Sequence, residues 1–282
     1  MSAFSVVLPA HDEGSVIGTT LQTLLADAEP GEIELVVVCN GCADDTAARA
    51  RSAAPSARVI ELVEPSKSAA LNAGDDAATV FPRFYVDADI AVSAQSLRRM
   101  VDLLDAGDRL AVAATVSHRA AASRSWLVRS YYRFWSSLPG GSSGIFGTGV
   151  IGLSREARAR FGRWPDVIAD DYYCDSLFSG DEKARHPDVH VELDVPGKVG
   201  ALVRRKARVH NGNLQVRARF PTRGAVTNGA SLTSVVRRTP ALWYDAPAFI
   251  GLTLAARVLA AVDRRRGAAH RWRRDDSRDS RA

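Results

Sequence analysis

Apolar and polar positions follow two alternating rhythms over the first ninety residues. Residues 4–8 form a short apolar run closed by Pro9, after which Val16, Ile17, Leu21, Leu24 and Leu25 recur at helical spacing. The pattern predicts strand, loop and helix. Residues 33–39 are nearly all apolar or β-branched and stop at the turn signal Asn40-Gly41, and an alanine-rich helix is expected over 46–54. The unit then repeats, with a strand over 59–62, a helix over 66–78 and a strand over 84–86 that ends at Asp87. Continuous apolar strands alternating with helices imply an α/β fold, with a mostly parallel sheet covered by helices on both faces.

Beyond Asp89 the rhythm is less regular. A helix over 95–104, a strand over 111–117 and an aromatic helix over 126–135 are predicted. Residues 139–144 read Pro-Gly-Gly-Ser-Ser-Gly, the composition of a mobile lid, and Gly147, Thr148 and Gly149 lead into a strand over 150–153. A strongly apolar helix over 247–262 opens at Asp245, a candidate N-cap, and runs into Arg264, Arg265 and Arg266. At that length it is a little short to cross a bilayer, which takes about 20 apolar residues. Peripheral membrane contact and a homodimer interface are the two roles it suggests.

Composition narrows the class. With 282 residues, 46% hydrophobic and 24% charged, the chain is an ordinary globular protein rather than a disordered one. Met1 leads straight into the apolar run without the features of a secretory signal, and three cysteines are an odd count for a disulfide framework, so a reducing, cytoplasmic setting is expected. The net charge of +5 is unevenly spread. No acid occurs from Val195 to Tyr244, where Lys198, Arg204, Arg205, Lys206, Arg208, Arg217, Arg219, Arg223, Arg237 and Arg238 fall. A solvated basic face explains this run, and no nucleic-acid partner is expected.

In an open α/β sheet, ligands bind beyond the carboxyl ends of the strands, where loops converge. The loops predicted there carry Pro9, Ala10, His11, Asp12 and Glu13; then Asn40 to Asp45; then Asp87-Ala88-Asp89. Two carboxylates with one residue between them can hold a hard cation whose shell is completed by phosphate oxygens and water. On its own such a pair is more often a turn or a helix cap.

Order changes that weighting. Pro-Ala-His-Asp-Glu after the first strand, Asn-Gly-Cys-Ala-Asp-Asp-Thr after the second, Lys67 to Gly74 on the third helix and Asp-Ala-Asp after the fourth occur in sequence. They resemble the nucleotide-binding half of the family 2 glycosyltransferases, and Gly147 to Arg155, Gly162 to Pro165 and Ala169 to Asp171 are similar to that family's acceptor region. The resemblance covers roughly residues 4–180. It implies a GT-A fold, a nucleoside-diphosphate sugar donor, Mg2+ or Mn2+, and an inverting single displacement onto an acceptor it does not identify. It places a nucleotide half at 1–115, an acceptor half at 116–225 and a basic helical appendage at 226–282. By the same resemblance Pro9, Ala10, His11, Glu13 and Asn40 surround the nucleoside, Lys67 and Asn72 face the donor, Asp87 faces the donor's ribose or the metal, and Asp89 binds the metal directly. Gly147, Thr148 and Gly149 form an acceptor loop, and Asp171 is the general base, with Asp170 beside it raising its pKa by like-charge repulsion.

The chain departs from the family pattern at Asp12, Asp170 and Cys174. It also lacks the Gln-x-x-Arg-Trp element of processive members, the nearest stretch being Gln215 to Phe220, so polymer synthesis is not expected. A non-catalytic scaffold of the same fold and a sugar-phosphate nucleotidyltransferase are the rival readings. The complete set of acids argues against the first, and the absence of a glycine-rich loop after the first strand against the second. Cys39-Asn-Gly-Cys42 has dithiol spacing, but turn chemistry between the cysteines argues against a redox role. His186-Pro-Asp-Val-His190 reads as a loop, and residues 140–144 match a hydrolase nucleophile motif without its strand and helix.

Overall fold

The computed structural model describes residues 4–138, 144–221, 237 and 239–266. Its strands are β1 (Phe4–Ala10), β2 (Ile33–Asn40), β3 (Arg58–Leu62), β4 (Arg83–Val86), β5 (Ala111–His118), β6 (Val150–Leu153) and β7 (Lys183–Leu193). They form one sheet in the order β3, β2, β1, β4, β6, β5, β7. The helices are α1 (Ile17–Leu25), α2 (Thr46–Ala53), α3 (Lys67–Ala77), α4 (Ala94–Asp105), α5 (Trp126–Ser136), α6 (Arg155–Arg158), α7 (Asp170–Ser176), α8 (Val199–Arg219) and α9 (Ala246–Arg265). The expected α/β fold with C-terminal helices is present. Residues 139–143 of the candidate lid, Arg223 and Arg238 lie outside the described residues.

The chain forms two compact units. The first comprises Met1–Thr115, Ile145–Asp166 and Asp170–Val191; the second comprises Val116–Gly144, Val167–Ala169 and Glu192–Ala282. In the first, β1 pairs in parallel with β2 and β4, and β2 with β3. Every residue of β1 is buried, as a central strand covered on both faces requires. β3, at the sheet edge, carries Arg58 and Glu61 exposed, and charge there discourages pairing with another chain. Helix α3 lies hard against β1: a Cβ at Gly74 would stand 2.2 Å from Val7 Cγ1, so only glycine permits the approach. Ser66 and Ser93 cap α3 and α4 by accepting from the N–H groups of Ala69 and Ser96.

β6 interrupts the parallel order. It pairs antiparallel with both β4 and β5, with Val86 opposite Val150. It therefore enters the sheet at the carboxyl end of β4, which brings the turn preceding it, residues 147–149, beside Asp87. Residues 186–190 are not a loop. They lie within β7, where Pro187 is exposed, and an edge strand tolerates the missing N–H of a proline.

In the second unit the aromatic stripe of α5 is mostly core: Val128, Tyr131, Tyr132 and Leu202 are buried together, while Trp126 is exposed. Lys206 lies over the rings of Trp135, Tyr131 and Tyr132, 4.2 to 5.5 Å from their centroids. Part of the basic run is therefore packed on aromatic surface rather than solvated. Asp245 stands at the start of α9 without capping it; its carboxylate accepts from Ser130 Oγ and from the Arg133 guanidinium. α9 is longer than its apolar run predicted, at 20 residues. It is long and apolar enough to cross a membrane by length and composition, yet Ala248, Ala256 and Ala260 are buried against the rest of the unit.

Candidate active site

Four segments of the first unit converge at the carboxyl end of β4 and bind one another in a closed circuit. Asp87 N donates to Gly149 O at 2.9 Å, and Gly147 N donates to Asp171 Oδ2 at 2.7 Å. Lys67, the first residue of α3, closes the loop: its Nζ lies 2.9 Å from Asp87 Oδ1 and 3.1 Å from Asp170 Oδ2. The second oxygen of Asp171 accepts from Tyr172 N. One helix turn on, Asp175 accepts from Ile145 N at 2.7 Å and pairs with Lys183 at 2.9 Å, both side chains 1% exposed. The 145–149 turn is thus fastened to α7 at two points.

The electrostatics follow from that geometry. Asp87, Asp170 and Asp171 share one nearby ammonium. Burial alone would lower the Lys67 pKa, but Asp170, Asp87 and Asp171 outweigh it and hold the ammonium well above the ordinary lysine value. Burial pushes Asp170 up, to about 6; Asp171 and Asp87 add to this and Lys67 opposes it. Like charge and burial thus act together on Asp170, the carboxyl that Lys67 holds.

The residues suit a divalent cation. The donor set is carboxylate oxygen, which hard cations prefer, and carboxylates outnumber the ammonium. Gly149 adopts φ 71°, and a Cβ there would strike Ile90 and stand 3.4 Å from Asp87 Oδ2, so glycine preserves space along that carboxylate. Asp89 follows on the same loop, half-buried.

Other candidates form a second cluster, at the ends of β1 and β2. Pro9 and Ala10 are buried at the end of β1. His11 Nδ1 is 2.6 Å from Asn40 O, and Asn40, 1% exposed, uses its own amide to donate to Ala10 O and to accept from Ser66 N. Asn40 is thus a strut joining both strand ends to the residue before Lys67. The two loops also exchange contacts: Asp12 accepts from Ala43 N, Asp44 from Gly14 N, and Thr46 Oγ1 from Glu13 N. Asn72 and Thr148 are occupied elsewhere. The Asn72 amide exchanges two hydrogen bonds with the backbone of Trp164, and Thr148, fully buried, donates to Val150 O inside its own turn.

Sequence patterns gave no sign of one further network. Asp75, at the end of α3, accepts from Arg83 and Tyr85 on one oxygen and from Arg158 and Trp164 Nε1 on the other, at 2.6 to 2.9 Å. Burial would raise its carboxyl, yet Arg158, Tyr85 and Arg83 hold it below the usual range. Its signal was the first of two acids after Gly74, Asp75-Asp76, indistinguishable by pattern from a solvated pair.

A mannosyltransferase from Pyrobaculum calidifontis, solved with GDP-Man and Mn2+, superposes with a TM-score of 0.62 at 22% identity, covering 94% of this chain and 79% of that one. Glucosyl-3-phosphoglycerate synthase from Mycobacterium tuberculosis, solved with Mn2+, UDP-Glc and phosphoglyceric acid, gives 0.54 at 21% identity over 77% of this chain and 80% of that one. At such identities the likeness establishes the fold, which is of the GT-A type. No curated protein sequence matches the chain. The profile described as Glycosyl transferase family 2 matches residues 5–156, more than half of the chain. By that match, the chain belongs to glycosyl transferase family 2.

Proposed function

We propose that this protein transfers a sugar from a nucleoside-diphosphate donor to an acceptor hydroxyl in one inverting displacement, with Mg2+ or Mn2+ held at Asp89. The observation that carries this reading is the circuit of Lys67, Asp87, Asp170 and Asp171 around the Gly147–Gly149 turn. Both GT-A structures named above were solved with Mn2+ and a nucleotide sugar, which supports the same ligand classes here. The nucleotide half is residues 1–115 and the acceptor half 116–225, with 226–282 as an appendage.

In this reading Asp171 takes the proton of the acceptor hydroxyl as that oxygen bonds to the anomeric carbon and the bond to the diphosphate breaks. Each Asp171 oxygen accepts one backbone N–H and keeps a second lone-pair direction for the acceptor. Lys67 sets the positions of Asp87 and Asp170, and Gly147 fixes Asp171, so the protein's contribution is mainly preorganised charge and placement. A bound divalent cation would supply neutralisation of charge on the departing diphosphate. His11 and Glu13 border the nucleoside, with Asn40 orienting the imidazole. Helix α9 supplies peripheral membrane contact.

The deciding experiment is release of nucleoside diphosphate from a panel of nucleotide sugars. Turnover with Mn2+ or Mg2+, abolished by EDTA and by Asp89→Asn, is expected. Full turnover of Asp89→Asn in EDTA would remove the metal role, and release of pyrophosphate instead of diphosphate would point to nucleotidyl transfer.

A further inference from the structure

We propose that His11, Asp12 and Cys42 form a binding site for a borderline-soft divalent cation of the Zn2+ type, separate from the carboxylate site at Asp89. A ring nitrogen of His11, a carboxylate oxygen of Asp12 and Sγ of Cys42 all lie within 4.8 Å of one another, each residue half-buried. A tetrahedral zinc centre has donors about 2.0 to 2.3 Å from the metal, so its ligand atoms stand roughly 3.5 Å apart. A small closure of the cluster reaches that geometry.

Three features of the surroundings match what such a site requires. First, the histidine tautomer is set. Asn40 O, 2.6 Å from His11 Nδ1, can only accept, so Nδ1 carries the proton and Nε2 is the coordinating nitrogen; it lies 3.6 Å from Asp12 Oδ2. A carbonyl behind the other ring nitrogen is the usual support of a metal-binding histidine, and Asn40 is itself braced by Ala10 and Ser66. Second, Asp12 is held in place. It is the one non-glycine residue with positive φ, 52°, among the described residues, and its Oδ1 accepts from Ala43 N while Oδ2 faces the imidazole. Third, the donor set is imidazole, carboxylate and thiol. On binding, Cys42 releases its proton to solvent, and one thiolate with one carboxylate balances a dication.

Sulfur separates this site from the other. Mg2+ and Mn2+ favour oxygen donors, whereas thiolate and imidazole favour Zn2+ and Co2+. Three protein ligands leave a fourth position for water or an incoming ligand. Resting on the functional reading above, a cation at this place stands where the nucleoside binds, so Zn2+ would compete with the donor.

Cobalt tests the site without any assay of sugar transfer. Titration of the metal-free protein with Co2+ is expected to give a thiolate-to-cobalt charge-transfer band and tetrahedral visible bands at one equivalent. Both should disappear on adding one equivalent of Zn2+ and persist in excess Mg2+. Cys42→Ser should lose the charge-transfer band, while Cys39→Ser should keep it. His11→Gln, which leaves the thiol intact, should weaken Co2+ binding at least tenfold and serves if Cys42→Ser does not fold. No band in the wild-type protein, or an unchanged band in Cys42→Ser, would overturn the site. If the band is found but a nucleoside diphosphate fails to displace the cobalt, the site stands and only its overlap with the donor fails.

Discussion

Asp171 places both carboxylate oxygens on backbone N–H groups, and this commits it to one orientation before any ligand arrives. Asp171→Asn keeps the side-chain size, removes the proton acceptor and turns an amide NH2 toward one of the two N–H groups. General-base catalysis is worth about 10²- to 10⁴-fold, so kcat should fall by that range with donor affinity retained. A variant with unaltered kcat on its acceptor would transfer the base role elsewhere. A second residue makes a prediction about stability. Burial opposes ionisation of Glu34, but Ser5, Thr79 and Val80 donate to it and hold its carboxyl down at about 2. A carboxyl depressed below its ordinary value of 4.5 adds stability above about pH 4.5 and loses it as pH falls toward about 2. Glu34→Gln should therefore lower the denaturant midpoint at pH 7, lower it by less at pH 3, and converge on wild type only below about pH 2. Equal differences at both pH values would refute the linkage. Chain order put Asp87 at the end of a strand and Lys67 at the start of a helix, and the fold brings the two side chains together there. Residues whose task is set by neighbours distant in sequence were not legible in this way. Asn40 and Asn72 matched family positions, yet their amides bind Ser66 and Trp164, contacts that no local pattern encodes.

Among elements, those with strong periodicity stand within a few residues of their predicted bounds, because burial on both faces leaves little choice of register. The misses had weaker signals. β7 alternates around Pro187, and α8 is so rich in arginine that its apolar face was obscured. Asp75 shows what holds α3, β4 and α6 together: one carboxylate serves Arg83, Tyr85 and Arg158 at once. Asp75→Ala would leave one buried guanidinium, Arg83, and one half-buried, Arg158, without their acid, a change that costs about 3 to 5 kcal/mol, so a large loss of the unfolding free energy is expected by chemical denaturation. A loss under about 1 kcal/mol would mean water satisfies the arginines. α9 differs in kind. Ile250, Leu254 and Val258 recur every fourth residue and are exposed, and Trp243 and Tyr244 are exposed just before the helix. An apolar stripe with aromatic residues at its entry and Arg264 to Arg266 at its end suits an anionic lipid surface. Co-sedimentation with vesicles containing phosphatidylserine should occur and should be lost in Leu254→Glu. Persistence of wild-type binding in that variant would assign the stripe to another partner.

At the scale of the molecule, donor and metal should bind as one. In the first unit Asp87, Asp170 and Asp171 stand around a single lysine, so an anionic diphosphate approaching without a cation meets net negative charge. If Mn2+ binds there, the same carboxylates would hold it, and the ion would neutralise an incoming diphosphate. Nucleoside diphosphates alone should therefore shift the melting temperature little, Mn2+ alone modestly, and the two together by more than their sum. A ligand at a hundred times its Kd adds about 2.7 kcal/mol, which for a protein of this size is a shift of roughly 5 to 10 °C. Scanning bases and sugars in that format identifies the donor by the largest coupled shift, and Asp89→Asn should abolish the coupling while leaving any metal-independent shift intact. Equal shifts with Mn2+ and with EDTA would show that the acids serve the fold or the acceptor rather than a metal-bound diphosphate.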